Sequence, residues 1–293
     1  MTNPYFGETS MKRIITAILF FSFFIPSLSA QELTGTLQQI KTSGKIKVGY
    51  RQFYPPLSFL DENGVPAGYS IDICEEIISG IQKKIGQTID IEYIPVTSEG
   101  RFSALVDKKI DILCGATTKT LSRSEIVDFT QIIFVTGASF MTRAGNDIRG
   151  NFAGKKIGVI KDTTTEIELK KLFEETKIDT KTVFVRSTLE GRKALEKGKI
   201  DAFAADQVVL IGLALNSDDP GKFSILPDLF SYEPLALAVR RNDADFRLAA
   251  DRVISGLCRS EQMLTLYDKW FSEFSSIRPK SFEMLVELNS LPE

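Results

Sequence analysis

Short apolar runs rich in β-branched residues alternate with helical patterns along most of this chain, and that alternation restricts the fold more than any other feature. Residues 46–50, 89–94, 110–113, 157–160, 183–185 and 202–205 read as strands. Between them, apolar residues at 71, 73, 74, 77, 78, 81 and 85 recur at helical spacing, and Gly86 supplies the stop. Shorter helical patterns cover 102–106, 166–173, 189–195 and 207–215, and two more follow at 244–258 and 260–271. Strands alternating with helices argue for parallel sheets covered by helices on both faces.

Two such cycles are visible, one before about residue 138 and one after it. They are joined by the extended apolar stretch 132–141, and a second extended stretch, 233–239, precedes the C-terminal helices. Two crossings between two α/β units suggest a hinge, with the chain returning to the first unit at its end; one continuous open sheet is the alternative. The division expected is a first lobe from 31–138 plus 234–275, a second lobe from 139–233, and a short amphipathic tail from 276–293.

The N-terminal region reads as an export leader covering residues 1–30. Met11-Lys12-Arg13 is followed by an apolar run from Ile14 to Ile25 and by Ser27-Leu28-Ser29-Ala30, with cleavage expected after Ala30. Met11 is the alternative start, since residues 1–10 are polar and unrelated to the pattern. The apolar run is shorter than the ~20 residues a spanning helix needs. A soluble mature protein outside the cytoplasm, in the periplasm, is expected.

The chain contains no histidine. That removes the commonest general base, the Ser-His-Asp triad and most zinc sites, and no cofactor or metal is expected. Cys74, Cys114 and Cys258 lack Cys-x-x-Cys spacing, so a metal knuckle or redox pair is not indicated. One disulfide with one free thiol, and three buried thiols, are both open. The formal net charge of −2 carries no basic surplus that would point to nucleic acid.

Ligands of open α/β sheets bind beyond the carboxyl ends of strands, at helix N-termini. The polar residues at those places are Arg51, Ser98 to Arg101, the segment Gly115 to Thr118, Asp162-Thr163-Thr164, Ser187-Thr188 and Asp206. This set carries both charge signs and suits a small zwitterion. Thr163-Thr164-Thr165-Glu166 and Ser187-Thr188-Leu189-Glu190 match the capping box, which accounts for Thr163 and Ser187 without any ligand. Asp206 reads equally as an N-cap for 207–215, and Arg123 as a surface partner of Glu125 or Asp128.

Several segments carry a family likeness, in order and at matching spacing over roughly residues 44–271. They are Lys47-Val48-Gly49-Tyr50, Tyr54-Pro55-Pro56-Leu57-Ser58-Phe59, Gly68-Tyr69-Ser70-Ile71-Asp72-Ile73, Lys109 to Thr118, Leu121-Ser122-Arg123, Ile126 to Thr130, Gly154 to Val159 and Leu195 to Phe203. The series resembles the amino-acid-binding proteins, solute-binding family 3, of ATP-binding-cassette transporters. The pattern is most similar to the branch that binds glutamate and aspartate, which places an arginine at Arg51 and a Ser-x-x-Arg at Ser98 to Arg101.

The resemblance implies a two-lobed periplasmic-binding-protein fold (type II): α/β, with two parallel or mixed sheets joined by a two-stranded hinge. It implies that Arg123 grips the α-carboxylate, helped by backbone N–H groups at Thr118 and Thr163. Asp206, the Ala116 carbonyl and the Thr118 hydroxyl would accept from the α-ammonium. Arg51, Ser98, Arg101 and Thr188 would surround the ligand side chain, and Tyr54 would wall the cleft. Three residues depart from that branch. Ala116 replaces a serine, Thr188 replaces a histidine, and Asp162 replaces a glycine; the Asp162 carboxylate is expected to face solvent.

The function implied is delivery of a free amino acid, acidic in the first instance, to the membrane permease subunits of an importer, by a monomer. A polar neutral ligand such as glutamine is the alternative. Two alternatives of another class are a dehydratase on the same fold, whose acid would be Glu99, Asp162 or Asp206, and a sensor module.

Overall fold

The computed structural model describes residues 1, 32–146, 148–275 and 277–293. The leader and its cleavage point lie outside the described residues. Helix α1 (Gly35–Ser43) leads into strand β1 (Lys45–Tyr50), whose inward residues Ile46 and Val48 are fully buried. A small antiparallel sheet follows, of β2 (Phe53–Tyr54), β3 (Ser58–Leu60) and β4 (Pro66–Ala67), which the periodicity did not show. Helix α2 (Tyr69–Ile85) buries the expected apolar face, and Gly86 ends it in the left-handed conformation.

Then come β5 (Asp90–Pro95), α3 (Arg101–Val106), β6 (Ile112–Cys114) and β7 (Val127–Thr136). Together with β13 (Glu233–Arg240), these strands make a first sheet in the order β5-β1-β6-β13-β7. Strands β5, β1 and β6 are parallel, while β13 runs antiparallel to both of its neighbours.

The second sheet has the same plan. It contains β8 (Ala138–Arg143), β9 (Lys156–Ile160), β10 (Lys181–Val185), β11 (Ala202–Asp206) and β12 (Phe223–Ile225), in the order β10-β9-β11-β8-β12. Strands β10, β9 and β11 are parallel, and β8 runs antiparallel to β11 and β12. Helices α4 (Thr164–Thr176), α5 (Thr188–Glu196) and α6 (Gln207–Leu215) follow β9, β10 and β11.

Each sheet has its own core. Leu105, Ile110, Leu113, Val127 and Phe129 cluster on the first, and Phe140, Val159, Leu169 and Ala204 on the second. Two separate cores make two lobes.

The chain passes between the sheets twice. Gly137 joins β7 to β8, and residues 226–232 join β12 to β13. The two passages are paired: Phe230 N–H donates to the Ala138 carbonyl at 2.9 Å, and Ala138 N–H donates to Ser231 Oγ at 2.9 Å. A Cβ on residue 137 would lie 2.4 Å from the Ser231 carbonyl oxygen, so only glycine allows this approach.

Helix α7 (Ala244–Arg259) packs on β7 and α2, and α8 (Gln262–Phe271) packs on α2 and α7. The last segment forms α9 (Lys280–Asn289), which buries Phe282 and Val286 against β7 and α7. The Phe282 ring packs in tilted contact with Phe134 and Tyr267.

Cys74 on α2 and Cys114 at the end of β6 form a disulfide, while Cys258 is free and buried. This settles which of the two cysteine arrangements holds. Among the described residues no helix is long and apolar enough to cross a membrane.

Candidate functional site

The carboxyl ends of the parallel strands of both sheets face one cleft. Arg51, Tyr54, Ser98, Arg101, Ala116, Thr118, Arg123, Thr163, Thr188 and Asp206 all line it, whereas Glu99, Asp162 and Ser187, also singled out from the sequence, do not. Ile160, Thr164, Thr165, Ala204, Ala205 and Val209 complete the wall.

From the first lobe, Arg51 is 4% exposed and leaves β1 so that its guanidinium lies 4.0 Å above the Tyr54 ring. Its Nη2 donates to Ser98 Oγ at 2.7 Å, and the Tyr54 hydroxyl lies 3.1 Å from the same oxygen. Gly115 makes room for this stem, since a Cβ there would sit 2.8 Å from Arg51 Cγ.

Arg101, at the start of α3, is 3% exposed. Its Nη2 donates to the Asp162 carbonyl at 3.3 Å, while Nε and Nη1 are buried with no partner. Burial, together with the positive charges of Arg123 and Arg51, lowers its pKa to about 9. Arg123 donates through Nη1 to the Thr118 carbonyl at 2.8 Å. Its pKa is also lowered by burial, against an opposing pull from Glu233 and Asp206. Among the described residues none of these three arginines forms an ion pair with a carboxylate, and Glu99 is exposed. The reading of Arg123 as a surface partner of Glu125 or Asp128 is therefore not what the structure shows.

From the second lobe, Thr163 caps α4. Its Oγ1 accepts from Glu166 N–H at 3.1 Å, and Ser187 Oγ does the same for Glu190 N–H at 3.1 Å. The two glutamates reach back to the N–H groups of Asp162 and Arg186, one residue before each cap. Asp162 has a left-handed backbone (φ 61°) and is exposed, so its carboxylate stays out of the cleft as expected.

Asp206 makes no capping hydrogen bond to α6, so the N-cap reading of this residue fails. Its pKa is pushed up to about 7 by burial and then by the nearby Glu233, against the pull of Arg123, Arg51 and Arg101. Thr188 lines the cleft, but its hydroxyl donates to the Phe53 carbonyl across the lobes. Toward the cleft it therefore presents an acceptor oxygen, not a donor.

One residue behind the wall escaped the sequence reading. Glu233 opens the second crossing strand, is 1% exposed, and accepts hydrogen bonds from Thr118, Thr164 and Ser231. The available signal was a lone carboxylate heading the apolar run 234–239. Among the described residues there is no cluster of three or more histidine, cysteine or acidic side chains able to hold a metal.

Comparison with known families adds the decisive observation. Residues 46–273 match the model of bacterial extracellular solute-binding proteins, family 3. The chain belongs to this family. The glutamate/aspartate import solute-binding protein of Salmonella typhimurium is 32% identical over 257 residues, covering 87% of this chain and 84% of that one. The L-glutamate/L-aspartate-binding protein of Pseudomonas aeruginosa is 31% identical over 270 residues, covering 89% of each. Among solved structures, an ancestral arginine-binding protein bound to glutamine superposes with a TM-score of 0.69 at 28% identity, covering 78% of this chain and 98% of that one. This family 3 solute-binding protein of amino-acid importers has its cleft lined from both of its sheets.

Proposed function

We propose that this chain is a periplasmic binding protein that closes on a free acidic amino acid, glutamate or aspartate, and delivers it to the permease of an ATP-binding-cassette importer. The observation that carries the reading is Arg101, whose Nε and Nη1 are buried in the cleft wall without a partner. A buried guanidinium with unpaired donors is costly, and a carboxylate matches its fork.

Charge balance supports the same ligand. Three guanidiniums face Asp206 and Glu233, and an acidic amino acid brings the one further negative charge. In this reading Arg123 holds the α-carboxylate, Asp206 the α-ammonium, and Arg51 with Arg101 the side-chain carboxylate. The two relatives named for glutamate and aspartate point the same way. The leader-like residues 1–30 support export.

Transport rather than turnover is supported by the acids themselves. Of Glu99, Asp162 and Asp206, only Asp206 lines the cleft, and it lies there among three arginines.

A second reading rests on Thr188. Its hydroxyl proton is committed to Phe53, so the oxygen suits the amide NH₂ of glutamine better than a second carboxylate oxygen. Calorimetry of the mature chain, freed of co-purified ligand, separates the two. Glutamate or aspartate bound at least tenfold more tightly than glutamine supports the acidic reading; the reverse order would overturn it.

A further inference from the structure

Glu233 is buried, carries no ion-pair partner among the described residues, and does not line the cleft. It sits at the first position of β13, opposite Thr136, where the chain re-enters the first sheet. Its Oε2 accepts from Thr118 Oγ1 at 2.5 Å and from Thr164 Oγ1 at 2.7 Å, and its Oε1 accepts from Ser231 Oγ at 2.7 Å. Thr118 belongs to the loop after β6 in the first lobe, and Thr164 opens α4 in the second. Their hydroxyl oxygens are 3.2 Å apart.

A buried charge satisfied only by hydroxyls is a poor stabiliser, because desolvation offsets what the hydrogen bonds contribute. The arrangement has a chemical consequence instead. A threonine hydroxyl has one proton and two lone pairs. With the protons of Thr118 and Thr164 both directed to one carboxylate oxygen, only lone pairs remain for the cleft.

We propose that Glu233 is a positioning residue. It fixes the hydroxyls of Thr118 and Thr164 as acceptors, from behind the cleft and from both lobes at once. The ammonium end of the site is thereby made selective for a group that only donates. An α-ammonium satisfies such acceptors; a 2-hydroxy group, with lone pairs of its own, satisfies them less well. The inference rests on the placement of the α-ammonium beside Asp206 proposed above.

The test compares the Kd of L-glutamate with that of L-2-hydroxyglutarate in the wild type and in Glu233→Gln. The Gln side chain keeps the shape but offers NH₂ donors, which lets the threonine hydroxyls turn. We expect the preference for the amino acid to fall tenfold or more. Equal weakening of both ligands, with the preference unchanged, would mean that Glu233 is merely structural and would overturn the proposal.

Thr118→Val keeps the carboxylate and removes one oriented hydroxyl. It is expected to narrow the preference similarly, and it answers the question if Glu233→Gln does not fold. Should the wild type bind another amino acid and not glutamate, the acidic reading fails alone. The same ratio is then taken with that amino acid and its 2-hydroxy acid. A wild type that binds no free amino acid would overturn both.

Discussion

Gly212 in the middle of α6 lies against Pro55 of the opposite lobe, so closely that a Cβ at 212 would be 2.3 Å from the Pro55 carbonyl oxygen. Next to this contact, the Thr188 hydroxyl donates to the Phe53 carbonyl. The turn between β2 and β3 thus docks on α5 and α6 at the outer rim of the cleft.

Gly212→Ala should therefore wedge the rim. Alanine strengthens an isolated helix by about 1 kcal/mol relative to glycine, so the lobe itself should not suffer. Overpacking of a tight contact costs about 1–3 kcal/mol, which predicts a loss of ligand affinity of about five- to 150-fold. Calorimetry reads the affinity. Small-angle scattering with saturating ligand should show a larger radius of gyration than the wild type, and an unchanged radius with unchanged affinity would refute the wedge.

Arg101 sets the next expectation. Arg101→Gln removes the guanidinium whose Nε and Nη1 lack partners, and should weaken glutamate binding by about 2–5 kcal/mol. Glutamine binding should change far less, because an amide side chain does not need that charge. If both ligands weaken equally, the guanidinium is not at the side-chain end.

Asp206 predicts a proton linkage. Its pKa of about 7, against an ordinary 3.8, means that between those values the folded protein keeps a proton that the unfolded chain has lost. The contribution of Asp206 to ligand-free stability is thus fully present below the ordinary value and lost as pH rises through about 7. An α-ammonium favours the ionised carboxylate, so binding should release a proton below pH 7. Affinity should then fall by up to about tenfold per pH unit of acidification. Titrations in buffers of different ionisation enthalpy measure the release, and Asp206→Asn should abolish it.

The disulfide closes a 40-residue separation between α2 and the end of β6. A crosslink of that span stabilises by about 4 kcal/mol in the chain-entropy account. Replacing Cys74 and Cys114 with alanine should lower stability by about 2–4 kcal/mol in a denaturant melt. Cys258→Ala removes only a small buried side chain and should matter less.

Much of this was legible beforehand because the physics was local. Strands at 46–50, 157–160 and 202–205 announced themselves by β-branched runs, and the rule that ligands lie past strand ends then collected eight of the ten residues around one cleft, Tyr54 and Arg123 coming from the family resemblance. The capping glutamates 166 and 190 were equally plain. What stayed hidden depends on distant neighbours. The cap reading of Asp206 failed because the helix start after a strand is the same whether the carboxylate turns to its own backbone or into a cleft. Glu233 was lost inside an apolar crossing strand, since nothing in its neighbourhood says that two threonines from separate lobes converge on it. Cysteine spacing left the pairing open because only the fold brings α2 beside β6. The two-residue strands β2 and β4 are too short to show a period, and helix α9 was read only as an amphipathic tail.

All three cysteines lie on elements packed with the first sheet, and the chain between Cys114 and Cys258 has none. One half of the clamp is therefore stapled and the other is held by packing alone. Amide exchange should record the difference as a hierarchy, with the core amides of the second lobe opening sub-globally while those of β1 and β6 wait for global unfolding. A reductant would erase that hierarchy from one side only. An oxidising or reducing surrounding would thus be felt by the half of the molecule that carries Arg51, Arg101 and Arg123.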